Sequence, residues 1–146
     1  MLNKISLPVF KNEVREVVKA IIYKDQKYLL QLRDNKSGIS CPNTWSFFGG
    51  DVDNREGFVE AMKRELMEEL SWFPEKLFYL VKSKDNKANC INTYYMVHCE
   101  VPEHALVLGE GQAMEWFTID DVMKFTNIPD IVVLMLKKAH KHINSL

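Results

Sequence analysis

The chain has 146 residues, enough for one packed core and not for two. Hydrophobic residues make up 47% and charged residues 27%, with a formal net charge of -1. That balance is globular, and it argues against the broad basic surface by which proteins hold nucleic-acid polymers.

The elements follow in chain order. Residues 14–23 (VREVVKAIIY) are rich in β-branched side chains and predict a strand. The polar break at Lys24, Asp25 and Gln26 leads to a returning strand over residues 27–33, closing a hairpin. Residues 34–43 carry Gly38, Pro42 and several turn-formers and predict a loop. Trp45 to Phe48 reads as a short strand that runs into Gly49 and Gly50. From Phe58 to Leu70 the spacing becomes helical, placing Phe58, Val59, Met62, Leu66 and Leu70 on one face. Residues 77–81 and 92–101 predict two more strands, separated by the polar stretch 82–89. A loop around Gly109, Glu110 and Gly111 precedes a strand at Met114 to Phe117. Thr118 is the expected N-cap of a short helix from Ile119 to Phe125. After Pro129 a final helix runs to about Ile143, with Val132, Met135, Leu136, Ala139 and Ile143 as its apolar stripe. The pattern predicts a mixed α/β protein whose helices pack on the faces of one sheet, a single domain over residues 1–146.

The chemistry concentrates in GGDVDNREGFVEAMKRELMEELSW, residues 49–72. Glu65, Glu68 and Glu69 lie within about 100° of one helix's circumference. Their stripe borders the apolar face, so the carboxylates emerge at the edge of the core. Two such charges about 4 Å apart repel by roughly 4 kcal/mol at an effective dielectric near 20. Solvent, protonation or a cation must offset that repulsion. An all-oxygen set suits Mg²⁺ or Mn²⁺, whereas for the helix taken alone a solvated acidic face is the better reading. The surroundings favour a site. Gly49 and Gly50 permit close backbone approach, and Glu56 ahead of the helix is placed to pair with Arg64 inside it.

These residues and intervals resemble the Nudix box. Gly50, five residues, Glu56, seven residues, then Arg64-Glu65-Leu66-Met67-Glu68-Glu69 follow the pattern G-x5-E-x7-R-E-U-x-E-E-x-G-U, where U is bulky and apolar. Ser71 stands where the pattern has glycine, and Trp72 fills the last apolar slot. The resemblance implies an α/β/α sandwich and hydrolysis of a nucleoside diphosphate linked to another moiety. It implies that Glu65, Glu68, Glu69 and the Gly49 carbonyl hold Mg²⁺ (or Mn²⁺), that one glutamate takes a proton from water, and that Glu56 and Arg64 orient the site. A catalytically silent nucleotide-binding or sensor module of the same fold is the alternative, although such modules typically lose box carboxylates and this chain retains them.

Outside the box, Glu110-Gly111-Gln112 with Glu115-Trp116 resembles a segment of the MutT branch, making Glu110 a further ligand or base. By the same resemblance Arg33 is expected to contact phosphate, and Asn127 to read a nucleobase, with helix capping as the competing role for Asn127. The partner expected is a small nucleotide, with no nucleic-acid polymer and no membrane; a homodimer is compatible. His98, His104, His140 and His142 show no metal-binding spacing, and Cys41, Cys90 and Cys99 show no CxxC, so free thiols and a cytoplasmic setting are expected. No apolar run approaches the roughly 20 residues that span a bilayer.

Overall fold

Strand β1 (Arg15–Lys24) is the axis of the protein, and the computed structural model describes residues 13–145 around it. The β-branched run of β1 turns at Asp25 and Gln26, both with positive φ (50° and 66°), and returns as β2 (Lys27–Leu32). Two consecutive left-handed residues make the tight hairpin turn whose twist matches the flanking strands. The remaining elements are β3 (Trp45–Ser46), β4 (Phe48–Asp51), α1 (Phe58–Leu70), β5 (Phe78–Asp85), β6 (Cys90–His98), a 3-10 turn (Glu103–Ala105), β7 (Ala113–Phe117), α2 (Ile119–Val122) and α3 (Asp130–Ile143).

All seven strands of the described residues join one mixed sheet. β6 runs parallel to the whole of β1, from Arg15 opposite Cys90 to Tyr23 opposite His98, and β5 forms the edge beyond it. On the other side β1 pairs with β2 only at Ile22–Lys24 and then diverges. The segment 45–51 fills the resulting wedge. Its first half pairs with β2 (Gln31 opposite Ser46), and its second half pairs with β1 (Lys19 opposite Gly49). One chain segment thus serves two strands, which is why the expected single strand from Trp45 to Phe48 breaks at Phe47.

β1 is buried on both faces. Val18, Ala20 and Ile22 point to α1 and pack with Met62, Leu66 and Leu70. Ile21 points to the opposite face, where Tyr28, Leu30, Tyr94 and Met96 meet Val132, Met135, Leu136 and Ala139 of α3. Each large side chain buried this way contributes about 1.5–3 kcal/mol. The layers are helix, sheet, helix, the sandwich expected.

Several boundaries differ from the sequence expectation. Lys82–Asp85 extend β5, because an exposed edge strand needs no apolar alternation to hold its ladder. β6 is correspondingly Cys90–His98 in place of 92–101. On α1 the buried set is Ala61, Met62, Leu66, Glu69 and Leu70, while Val59 is 45% exposed, one helical step off the core-facing stripe. α2 ends at Val122, since Lys124 and Phe125 donate to carbonyls three residues back and tighten out of α geometry. Thr118 caps α2 as expected: its hydroxyl accepts from the Asp121 amide while the Asp121 carboxylate accepts from the Thr118 amide. The N-cap of α3 is Pro129, so Asn127 does not cap it.

Ser71 takes the left-handed conformation that closes α1 (φ 54°, ψ 36°), with the Ser71 amide bonded to Met67 O and the Trp72 amide to Leu66 O. The site expects glycine for a steric reason, and a side chain there costs about 1 kcal/mol. Ser71→Gly should therefore raise unfolding free energy by about 1 kcal/mol in urea titration, with activity unchanged. Thr118→Ala should lower it by about 1 kcal/mol by the same measurement.

Candidate functional site

The site begins with the two glycines that open α1's approach. A Cβ on Gly49 would lie 1.9 Å from the Val18 carbonyl oxygen, and its φ of 155° is itself unfavourable for other residues. A Cβ on Gly50 would lie 2.4 Å from Glu65 Oε1. The first glycine lets β4 press against β1, and the second leaves the space that the Glu65 carboxylate fills. Gly49 also donates its amide to Glu69 Oε2 at 3.0 Å, tying the last turn of α1 to β4.

The expected Glu56–Arg64 pair forms as a fork. Arg64 Nε donates to Glu56 Oε2 at 2.7 Å, and Arg64 Nη2 donates to Glu56 Oε1 at 3.0 Å and to the Asp51 carbonyl at 3.0 Å. Arg64 Nη1 reaches Glu65 Oε1 at 3.0 Å and both Glu68 oxygens at 3.4 Å. One guanidinium thus orders the loop and neutralises the outer part of the carboxylate stripe. The hydrogen bond from Arg64 holds the Glu56 carboxyl below the usual glutamate range.

The three helix glutamates differ in environment. Glu68 is exposed, Glu65 is half-buried, and Glu69 is only 4% exposed. Burial raises the Glu65 carboxyl despite its Arg64 partner. Burial, then the fields of Glu65 and Glu110, push Glu69 up to about 8; Lys19 and the Gly49 amide oppose the shift without cancelling it. The carboxylates are gathered but not closed into a shell: among the described residues, no three His, Cys, Asp or Glu side chains stand in a metal-holding arrangement. The donor chemistry still fits a hard divalent cation. A carboxyl whose proton is held first by burial and then by its like-charged neighbours, beside a cradle that a Cβ would fill, is the electrostatic condition a cation relieves.

Glu110 arrives on a separate loop. The Gly109 amide donates to the Glu69 carbonyl at 2.7 Å, and a Cβ on Gly109 would sit 2.8 Å from the Glu68 carbonyl, so this loop docks on the C-terminal turn of α1. Two glutamines border this loop, and one of them, Gln112, ties it down. Gln31, buried on β2, donates to the Phe47 carbonyl at 3.4 Å, and its side-chain oxygen would lie 3.0 Å from a Cβ on Gly111. Gln112 Nε2 donates to the Arg33 carbonyl (2.8 Å) and to Asn43 Oδ1 (3.0 Å). A buried glutamine in an otherwise apolar strand was the available signal for Gln31.

Arg33 lines a small cavity with Glu110 and Gly111, and its Nε donates to the Ser40 carbonyl at 2.8 Å. Asn127 is not brought to the carboxylates. Its side chain donates to the Asn43 carbonyl (3.2 Å) and its carbonyl accepts from the Trp45 amide, so it braces the 43–45 loop. The histidines stand away as well: His140 Nδ1 lies 2.7 Å from the Tyr28 hydroxyl, and His98 packs on Tyr23.

Gly49→Ala should lower stability by about 3 kcal/mol or more in urea titration, because the clash is with backbone. Gly50→Ala should keep the fold by circular dichroism and displace only Glu65. Glu69 yields a pH prediction for cation-free protein. The folded chain keeps this proton up to pH about 8, while an ordinary glutamate releases it near 4.5. The folded state therefore holds more protons across that window, and stability falls as pH rises from about 4.5 to about 8. Unfolding in EDTA across this range should show the fall, and Glu69→Gln should flatten it.

Comparison with known proteins agrees with this geometry. The NUDIX domain model matches residues 14–136. The chain is 29% identical over 120 residues to the CTP pyrophosphohydrolase of Escherichia coli (strain K12), covering 82% of this chain and 87% of that protein. Its fold is similar to the crystal structure of a MutT NUDIX hydrolase from Burkholderia pseudomallei (TM-score 0.75, 24% identity, 86% of this chain and 98% of that one). It is also similar to the NUDIX domain of Shewanella oneidensis NrtR complexed with ADP ribose (TM-score 0.72, 20% identity, 90% and 89%). With a box that keeps every carboxylate and a fold that gathers them, this chain belongs to the Nudix hydrolase family.

Proposed function

We propose that the chain hydrolyses the diphosphate linkage of a nucleoside triphosphate or another nucleoside diphosphate derivative, by water attack at phosphorus, in a Mg²⁺-dependent reaction. The observation that carries this reading is the convergence of Glu65, the buried Glu69 and loop-borne Glu110: burial, and then the fields of neighbouring carboxylates, raise the proton affinity of Glu65 and Glu69. Glu65, Glu68, Glu69, Glu110 and the Gly49 carbonyl are the groups that would hold the cation, with Mn²⁺ as a substitute. The bound cation would neutralise the diphosphate and make water a better nucleophile at neutral pH.

The chain's own residues supply the rest. Arg64, fixed by Glu56, holds Glu65 and Glu68 in register along the helix edge. Glu69 changes protonation in the neutral range, so it is free to release its proton when positive charge enters the site. Arg33 presents a guanidinium on the same side as Glu110, where it would steady phosphate oxygens. A triphosphate substrate is favoured by the likeness to the Escherichia coli enzyme, whose name states its action on CTP. The same fold is also found in a domain bound to ADP ribose, so nucleoside diphosphates carrying a sugar belong in the substrate panel.

The test is phosphate and nucleotide release from ordinary and oxidised nucleoside triphosphates, ADP-ribose and sugar nucleotides, with Mg²⁺ and with Mn²⁺. Turnover should require the cation and fall by at least about a hundredfold in kcat in Glu69→Gln and in Glu68→Gln. Absence of turnover above Glu69→Gln on every substrate, with nucleotide bound intact, would identify a binding module.

A further inference from the structure

On the face of β1 opposite α1 lies a second cavity of about 160 Å³. It is smaller than the roughly 300 Å³ at which pockets begin to hold a whole drug-sized ligand, so it takes one ring and not a complete nucleotide. Phe47, Tyr94 and Val132 give it apolar and aromatic walls, suited to a planar group, while Lys19, Arg33 and Asn92 supply polar edges.

Lys19 is the unexpected member. It occupies an inward position in the middle of a central strand, flanked by the buried Val18 and Ala20 and aligned with Tyr94 of β6. Among the described residues its ammonium enters no ion pair. The cavity's carboxylate, Asp85, is occupied at the rim, accepting the amides of Lys87 and Ala88. Of the other two cations that line the cavity, Arg15 lies 3.8 Å from an Asp51 carboxylate oxygen and Arg33 spends its Nε on the Ser40 carbonyl. Burial, and then the Arg33 charge, lower the Lys19 pKa, and the field of Glu69 opposes them. A cation kept in such a place costs stability, and an oxygen acceptor entering the cavity would offset that cost.

Resting on the reading that the substrate is a nucleotide, we propose that Lys19 is a specificity-determining residue of this cavity, donating to the keto oxygen of a nucleobase and disfavouring adenine. The Lys19 ammonium carries three donors and no acceptor. Guanine, cytosine, uracil and thymine each present a keto oxygen, whereas adenine presents an amino group beside its ring acceptors. Adenine in the same slot would bring its amino donor toward the ammonium and leave only a ring nitrogen to accept, and a site that loses its polar partner discriminates strongly.

The experiment is calorimetric binding of GMP, CMP, UMP and AMP, with Mg²⁺, to the wild-type protein and to Lys19→Met, alongside thermal unfolding of both. Wild type should bind the keto-bearing monophosphates at least about tenfold more tightly than AMP, as hydrogen bonds to charged groups allow. Lys19→Met should lose about tenfold on those three and stay within about twofold on AMP, while its Tm rises because an unpaired charge has left the interior. Equal wild-type affinity for all four, an equal loss on all four in the variant, or a lower Tm would overturn the assignment. Any of these with nucleotide turnover intact leaves the hydrolase reading standing; absence of both binding and turnover removes the two together.

Discussion

The hydrogen bond from the Gly49 amide to the Glu69 carboxylate is the contact on which the site depends. It joins the last turn of α1 to the strand that fills the wedge between β1 and β2, and it forms only because Gly49 can lie against the Val18 carbonyl. Move that strand outward by the width of a methyl group and Glu69 loses its amide, the Glu65 cradle opens, and the Gly109 loop loses the helix turn on which it rests. Backbone packing thus sets the spacing of carboxylates whose mutual repulsion would otherwise spread them.

That repulsion is distributed unevenly, with chemical consequences. Arg64 answers the charge on the exposed side, through Glu56, Glu65 and Glu68. Nothing of comparable strength reaches Glu69, which is answered by one amide and the more distant field of Lys19. The result is a gradient along a single helix, from a solvated carboxylate at Glu68 to a buried one whose proton is held to about pH 8. Stability is sacrificed at the buried end, as is usual where a charged ligand completes a site.

Much of this was legible from residue order. α1 spans the residues that its spacing predicts, because apolar side chains at three- and four-residue steps report a helix directly. The Glu56–Arg64 fork follows from the box intervals, and the Thr118 cap from a hydroxyl residue at a helix start. Edge strand β5 was less legible, since exposed lysines carry no alternation. The division of residues 45–51 between two strands was not legible at all, because it results from the divergence of β1 and β2, a property of sheet twist and not of that segment.

The same line divides the site. The sequence by itself determined the carboxylate helix, the paired glycines and the family, because helical periodicity and fixed intervals are local properties. Only the tertiary structure decided which glutamate is buried, that Gln112 ties the Glu110 loop to Arg33, that Asn127 braces a loop, and that Lys19 faces a cavity. Those outcomes depend on which residues, distant in the chain, share a few ångströms of space, and on how much water the packing leaves beside each charge.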